Sequence, residues 1–121
     1  MFNVPRSDFE SLVQETVTCL PDNVQNNLSN VDIVVDEIPT DNQLLGTNLT
    51  DKLELLGLYE GIPITSRDIY DMVLPDKITV FQASIQNICH SHDELVNEIR
   101  KTILHEIAHH FGISDSELGH L

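Results

Sequence analysis

An apolar periodicity near the end of the chain constrains the fold more than any other feature. Five apolar residues recur four positions apart, namely Leu95, Ile99, Ile103, Ile107 and Phe111. At about 100° per residue they cover one face of a single helix. Ser91 and Glu94 have the spacing of a capping box, which predicts where this helix begins. Gly112 suits the left-handed residue at which helices commonly end. The sequence therefore predicts a long core helix that ends at Phe111.

The rest of the chain predicts an α+β fold with helices packed on a small sheet. Ser7 and Glu10 repeat the capping-box spacing and predict an N-terminal helix that Pro21 stops. Alternating or β-branched apolar runs predict strands at residues 31–39, 55–64 and 76–82. A polar loop is expected between the first two strands, to about Thr50. With 121 residues and 40% hydrophobic content, residues 1–121 are expected to form a single domain.

Composition argues against several classes of partner. The formal net charge is -14, from 20 acidic and 6 basic residues, and such a charge repels nucleic acid and anionic membranes. The sequence has no secretory signal pattern and no apolar run near the roughly 20 residues that span a bilayer, so a cytoplasmic location is expected. Cys19 and Cys89 match no paired spacing, and we expect two small buried thiols rather than a disulfide.

Three histidines fall on two different sides of the predicted C-terminal helix. His105 and His109 lie roughly opposite the centre of the apolar face at 100° per residue. His110 falls inside that face, and a buried packing role is expected for it. Two imidazoles one turn apart can each present a nitrogen to one ion, as a zinc site on a helix requires. The alternative is a solvated helix face that happens to be rich in histidine.

Two carboxylates complete this constellation. Glu106 lies roughly 60 to 80° around the helix from the histidine pair, which suits a base acting on a water bound to the ion. Gly112 permits a bend that could bring Asp115 within reach as a third ligand. Two imidazoles and one carboxylate leave the fourth tetrahedral position to water, whereas a structural zinc site is closed by four protein ligands. The pattern therefore has the layout of a catalytic Zn²⁺ site, with His105 and His109 as ligands, Asp115 as the candidate third ligand and Glu106 as the candidate base.

Three segments of the chain resemble a known family. Residues 98–118, "EIRKTILHEIAHHFGISDSEL", resemble the small bacterial metallopeptidases called minimal zincins, whose pattern is H-E-x-x-H-x-x-G-x-x-D. "LLGLYEGIP" at 55–63 is similar to that family's upstream signature, and "DKITVF" at 76–81 to the strand before its active-site helix. The resemblance implies a zincin-like fold with a small mixed sheet and the active-site helix near the C-terminus. It also implies that His105, His109 and Asp115 bind zinc and that Glu106 is the general base.

The sequence thus predicts a zinc-dependent peptidase that cleaves a peptide or an unfolded protein. A non-catalytic zinc-containing module that binds peptides or proteins is the alternative. The substrate is expected to pair as an extra strand with the edge at 55–61, in a groove open on one side. Activity should therefore be low unless a partner protein or a second copy supplies the missing wall. Tyr59, Glu60 and Arg67 are expected either to line this groove or to belong to a solvated strand edge. "CHSH" at 89–92 could be a second metal cluster, but Ser91 is better explained as a helix cap and the neighbouring histidines as loop residues.

Overall fold

The computed structural model describes residues 1–28, 30–61 and 76–111, apart from the side chains of Asn27, His110 and Phe111. The elements in chain order are α1 (Arg6–Thr18), α2 (Asp22–Asn27), β1 (Val31–Asp36), α3 (Asp41–Leu45), a 3₁₀ turn (Lys52–Glu54), β2 (Gly57–Glu60), β3 (Asp76–Phe81), α4 (Gln82–Ile88) and α5 (His92–Phe111). The predicted α+β class is confirmed.

The three strands form one mixed sheet in the order β1-β3-β2. β1 runs parallel to β3, and β2 runs antiparallel to it. Within the described residues, β1 and β2 are therefore the two edges. Ile78, Val80 and Phe81 of the central strand are all fully buried. A strand covered on both faces buries the side chains of both, which agrees with the run of β-branched and aromatic residues that predicted β3.

α5 is the main packing element under the sheet. Its predicted apolar face is confirmed where side chains are described, because Leu95, Ile99, Ile103 and Ile107 are all 0% exposed. α1 packs against α5, and α5 contacts β2 and β3. The predicted cap is also confirmed, since the Ser91 hydroxyl accepts a hydrogen bond from the Glu94 backbone N–H at 3.1 Å. The predicted end at Gly112 lies outside the described residues.

The N-terminal half differs from the prediction in several places. α1 begins at Arg6 after Pro5, so Ser7 lies inside its first turn and the predicted cap there is wrong. The helix ends at Thr18, and Pro21 directly precedes α2. The predicted loop before Thr50 contains α3. Short helices of this kind carry too few apolar positions to show a period.

The two cysteines have different environments. Both are free thiols, but Cys19 is exposed, so the expectation of two buried thiols is wrong for Cys19 and right for Cys89. Cys19 follows the last turn of α1 and does not point into the core. Burial raises the pKa of the Cys89 thiol, and the nearby charges of Glu98 and Glu94 raise it further. None of the helices in the described part of the chain combines the length and apolarity needed to cross a bilayer.

Candidate metal centre

The two histidines of the predicted ligand pair lie on the outer side of α5. His105 and His109 are both exposed, while Ile103 and Ile107 on the opposite side are fully buried. Because they are four residues apart on one helix, their Cβ atoms are roughly 5 to 6 Å from each other. The helix therefore presents two imidazoles on one solvent-facing surface.

Glu106 connects the helix to the edge of the sheet. Its side chain is half-buried, and its Oε1 atom accepts a hydrogen bond of 3.0 Å from the backbone N–H of Tyr59. These two residues are 47 positions apart in the sequence. Glu106 thus has one carboxylate oxygen bonded to strand β2, beside His105 on α5.

The register of the sheet explains why the Tyr59 N–H faces the helix. β2 and β3 are antiparallel, and the Phe81 N–H donates to the Leu56 carbonyl at 2.9 Å, so Leu56 and Phe81 form a hydrogen-bonded pair. Two and four residues further along the register, Leu58 lies opposite Thr79 and Glu60 opposite Lys77. Hydrogen-bonded pairs alternate along such a ladder. Gly57 and Tyr59 alternate with these hydrogen-bonded residues, so their backbone N–H and C=O groups face away from β3, toward the outer edge of the described sheet.

Gly57 allows β2 to approach α5 closely. A Cβ atom at this position would lie 2.5 Å from Cγ2 of Thr102 and 3.2 Å from the Thr79 carbonyl oxygen. Its backbone is not in the left-handed region, so the requirement for glycine comes from space and not from φ. Thr102 is one turn before Glu106 on α5. The contact therefore fixes the separation of strand and helix next to the Glu106 carboxylate.

An open groove of about 380 Å³ adjoins this contact. One side is formed by residues 54–57, which lead into β2. The other side is formed by α5 through Glu98, Lys101, Thr102, His105 and Glu106. The groove therefore extends from the His105 and Glu106 pair toward the N-terminal half of α5, and an extended chain could lie along it.

The side chains of β2 point to opposite faces of the sheet. Tyr59 is buried, and its hydroxyl donates to Asp76 Oδ2 at 2.8 Å. Glu60 points the other way, where it accepts a hydrogen bond from Gln43 at 2.9 Å and lies 3.7 Å from Lys77 Nζ. Neither side chain lines the groove beside His105. Arg67 lies outside the described residues.

The described residues include two of the three ligands that the sequence predicts for zinc, His105 and His109. Two exposed imidazoles at this spacing suit zinc, which takes nitrogen ligands readily. Within residues 1–28, 30–61 and 76–111, no three side chains of His, Cys, Asp or Glu come together as a possible metal group. That holds for the residues of "CHSH" as well. The predicted third ligand, Asp115, lies outside the described residues, as does Gly112, and the side chain of His110 is not described.

The role of the Tyr59 amide was not predicted from the sequence. A backbone N–H cannot be recognised from the type of residue that carries it, and its partner, Glu106, is 47 positions away in the sequence. The available signal was Gly57, because a glycine inside a strand often marks a close approach of another element.

Comparison with known proteins agrees with this architecture. A sequence profile of the zincin-like metallopeptidase family matches residues 28–121, and the chain belongs to that family. Its fold is similar to that of a solved structure, a conserved hypothetical protein from Thermo thermophilus, with a TM-score of 0.58 and 24% identity. The likeness covers 97% of this chain and 100% of the other, and at this identity it concerns the fold alone. No curated protein matches the chain.

Proposed function

We propose that this protein is a zinc-dependent metallopeptidase, with His105, His109 and Asp115 as zinc ligands and Glu106 as the general base. The observation that carries the proposal is the pairing of Glu106 with an edge-strand amide, beside an exposed i, i+4 histidine pair and at the end of an open groove. A half-buried carboxylate between a metal-binding surface and a strand edge is well placed to transfer protons to and from a bound peptide. Membership of the zincin-like family supports the same conclusion.

The chemistry assigns a separate role to each side chain. A zinc ion bound there would lower the pKa of a water molecule toward 7 and polarise the peptide carbonyl. Glu106 takes a proton from the attacking water and passes it to the leaving nitrogen. Its Oε1 atom is engaged by Tyr59, whereas Oε2 has no hydrogen-bond partner among the described residues and is the oxygen assigned to this transfer. His105 and His109 would hold the ion through their ring nitrogens, and the Asp115 carboxylate would balance part of its charge.

The substrate we propose is an extended peptide or an unfolded protein. β2 is an edge of the described sheet, and an edge strand offers backbone groups to an added strand. The groove is open, so a peptide is oriented weakly and turnover should be slow unless a partner protein or a second copy covers it. The exposed free thiol of Cys19 suits a reducing compartment, and we include a cytoplasmic location in the proposal.

Zinc analysis combined with a cleavage screen tests this function. The purified chain should bind about one zinc ion per molecule, because the proposal has one site with three protein ligands. It should cleave unstructured peptides slowly. Glu106→Gln should retain zinc and lose hydrolysis, because an amide is similar in shape but cannot take the proton. His109→Ala should lose most of the zinc, since only two protein ligands would remain.

The same screen distinguishes the alternative function. Zinc bound by the wild type with no cleavage of any peptide would favour a non-catalytic, zinc-containing module that binds peptides or proteins. Full hydrolytic activity in Glu106→Gln would remove this carboxylate from the mechanism.

A further inference from the structure

We propose that Tyr59 is a positioning residue, whose backbone N–H holds Glu106 where the carbonyl of a paired substrate strand would otherwise bind. A substrate would then pair with β2 only at Gly57 and continue along the groove beside residues 54–57. This inference rests on the proposed peptidase function. It extends that function in two ways: the Tyr59 N–H is the group that orients the base, and Gly57 is the part of β2 that remains open to substrate.

The bond itself has the geometry of a sheet hydrogen bond. Tyr59 N and Glu106 Oε1 are 3.0 Å apart, the usual distance for an N–H···O bond between strands. The N–H faces away from β3, in the direction from which an added strand would present a carbonyl oxygen. Glu106 Oε1 therefore occupies an acceptor position that strand addition would need. A substrate cannot use this N–H while Glu106 retains it.

The bond also restricts the carboxylate. A glutamate side chain has several rotatable bonds, and on an open helix surface it would sample many rotamers. Here the close contact of Gly57 and Thr102 holds strand and helix together one turn away, and the Tyr59 N–H fixes Oε1. Oε2 is thereby kept on a defined side of the site. Because misplacement of a reacting group by about 1 Å can reduce a rate about 100-fold, this restraint matters for catalysis.

Gly57 provides the remaining pairing position. Its N–H and C=O face the same outer edge of the described sheet, two residues before Tyr59, and Gly57 lines the groove whereas Tyr59 does not. A peptide bonded there has the groove between residues 54–57 and α5 on one side and the Glu106 carboxylate on the other. The peptide is thus directed toward His105 and leaves β2 before Tyr59.

A matched pair of substitutions tests the positioning role. Tyr59→Ala and Tyr59→Pro both remove the buried ring and its hydrogen bond to Asp76, but only proline also removes the N–H. This N–H is outside the β2–β3 ladder, so proline is compatible with the strand. Both variants should hold as much zinc as the wild type. Relative to Tyr59→Ala, Tyr59→Pro should have a kcat about 10- to 100-fold lower, with KM changed much less. Equal kcat values in the two variants would overturn the positioning role.

Amide hydrogen exchange tests the bond in the zinc-free full chain, without reliance on activity or on folding of the Tyr59 variants. The Tyr59 amide should exchange about tenfold or more faster in Glu106→Ala than in the wild type, because its charged acceptor is lost. Glu106→Gln keeps a carbonyl oxygen and should retain much of the protection. The Gly57 amide should respond little to either change. Equal Tyr59 exchange in the wild type and Glu106→Ala would refute the bond.

A peptide titration tests the limit on pairing. An unstructured alanine–lysine decapeptide, added to zinc-loaded Glu106→Gln, should shift the amide signals of residues 54–57 and leave that of Gly61 unchanged. Shifts that extend equally to Gly61 would show that the substrate pairs along the whole edge, against the proposal. If the wild type cleaves no peptide, the peptidase function fails, whereas the exchange measurement still decides whether Tyr59 holds Glu106.

Discussion

Replacement of Gly57 by alanine should separate β2 from α5 and loosen the candidate site. The added methyl carbon would lie 2.5 Å from Thr102 Cγ2, a distance at which one of the two groups must move. The methyl carbon cannot shift toward β3 to avoid this contact, because it would already lie 3.2 Å from the Thr79 carbonyl oxygen. The nearest alternative is an outward shift of α5, which carries Glu106 away from Tyr59.

The expected loss of stability combines two opposing effects. Overpacking of a tight contact costs about 1–3 kcal/mol. Alanine lowers the conformational entropy of the unfolded chain relative to glycine, which raises the free energy of unfolding by about 0.4–1 kcal/mol. The backbone of Gly57 is not left-handed, so no further conformational cost applies. We therefore expect a net destabilisation of about 1–2 kcal/mol, or about 3–10 °C in Tm for a chain of this size.

Urea unfolding of the zinc-free protein, analysed as a double-mutant cycle, measures this effect. Thr102→Ser removes Cγ2, the atom in conflict, so Gly57→Ala should cost at least about 1 kcal/mol less in that background. Gly46→Ala is the control glycine. Its Cβ would meet only the Gln43 carbonyl oxygen at 3.6 Å, and its φ of -74° suits alanine, so it should stabilise the chain by about 0.4–1 kcal/mol. If Gly57→Ala is as stable as Gly46→Ala and keeps the Tyr59 amide protected, the close-contact argument is refuted.

Four further outcomes are expected. Thr79→Val should raise the free energy of unfolding in urea by about 1 kcal/mol, because the buried hydroxyl of Thr79 has no hydrogen-bond partner among the described residues and a methyl group fills the same space; a loss of stability would indicate a hidden partner. With a thiol reagent at pH 8, Cys19 should react at least about tenfold faster than Cys89, because Cys89 is buried and its raised pKa lowers the thiolate fraction; equal rates would contradict this. Asp115→Ala should weaken zinc binding in a chelator competition without changing the Tm of the zinc-free chain, and unchanged affinity would require a different third ligand. Cleavage should be faster on an unfolded protein than on a tightly folded one at every enzyme concentration, and efficient cleavage of the folded protein by a monomer would contradict the open groove.

The elements that the sequence predicted correctly are those whose signals are local. Ser91 and Glu94 form the cap of α5 with no help from distant residues, and the apolar period of the helix states which side is buried. α3 had a comparable signal that the prediction did not use. Thr40 and Gln43 form a complete capping box, with bonds of 3.1 and 2.9 Å, within the segment predicted to be a loop.

The start of α4 depends on contacts that no local pattern reveals. Gln82 was predicted as the last residue of a strand, but it is a buried residue at the start of α4. Its Oε1 atom accepts from Arg6 Nε at 2.7 Å, and its Nε2 donates to the Val4 carbonyl at 3.0 Å. These partners are 76 and 78 residues away. A polar side chain can be buried at such a position because its hydrogen bonds are satisfied by the N-terminal segment.

The candidate site combines both kinds of information. Helical geometry alone places His105 and His109 on one surface with Glu106 beside them, so the spacing was enough to propose the constellation. It says nothing about the orientation of the carboxylate, because the rotamer of a glutamate is set by what contacts it. That contact comes from β2, whose register with β3 turns the Tyr59 N–H outward and whose glycine lets the strand meet the helix. The edge strand that we propose as the peptide-binding strand is therefore also the element that orients Glu106, the proposed base. A substitution at this edge that changes peptide binding should also change the position of the Glu106 carboxylate.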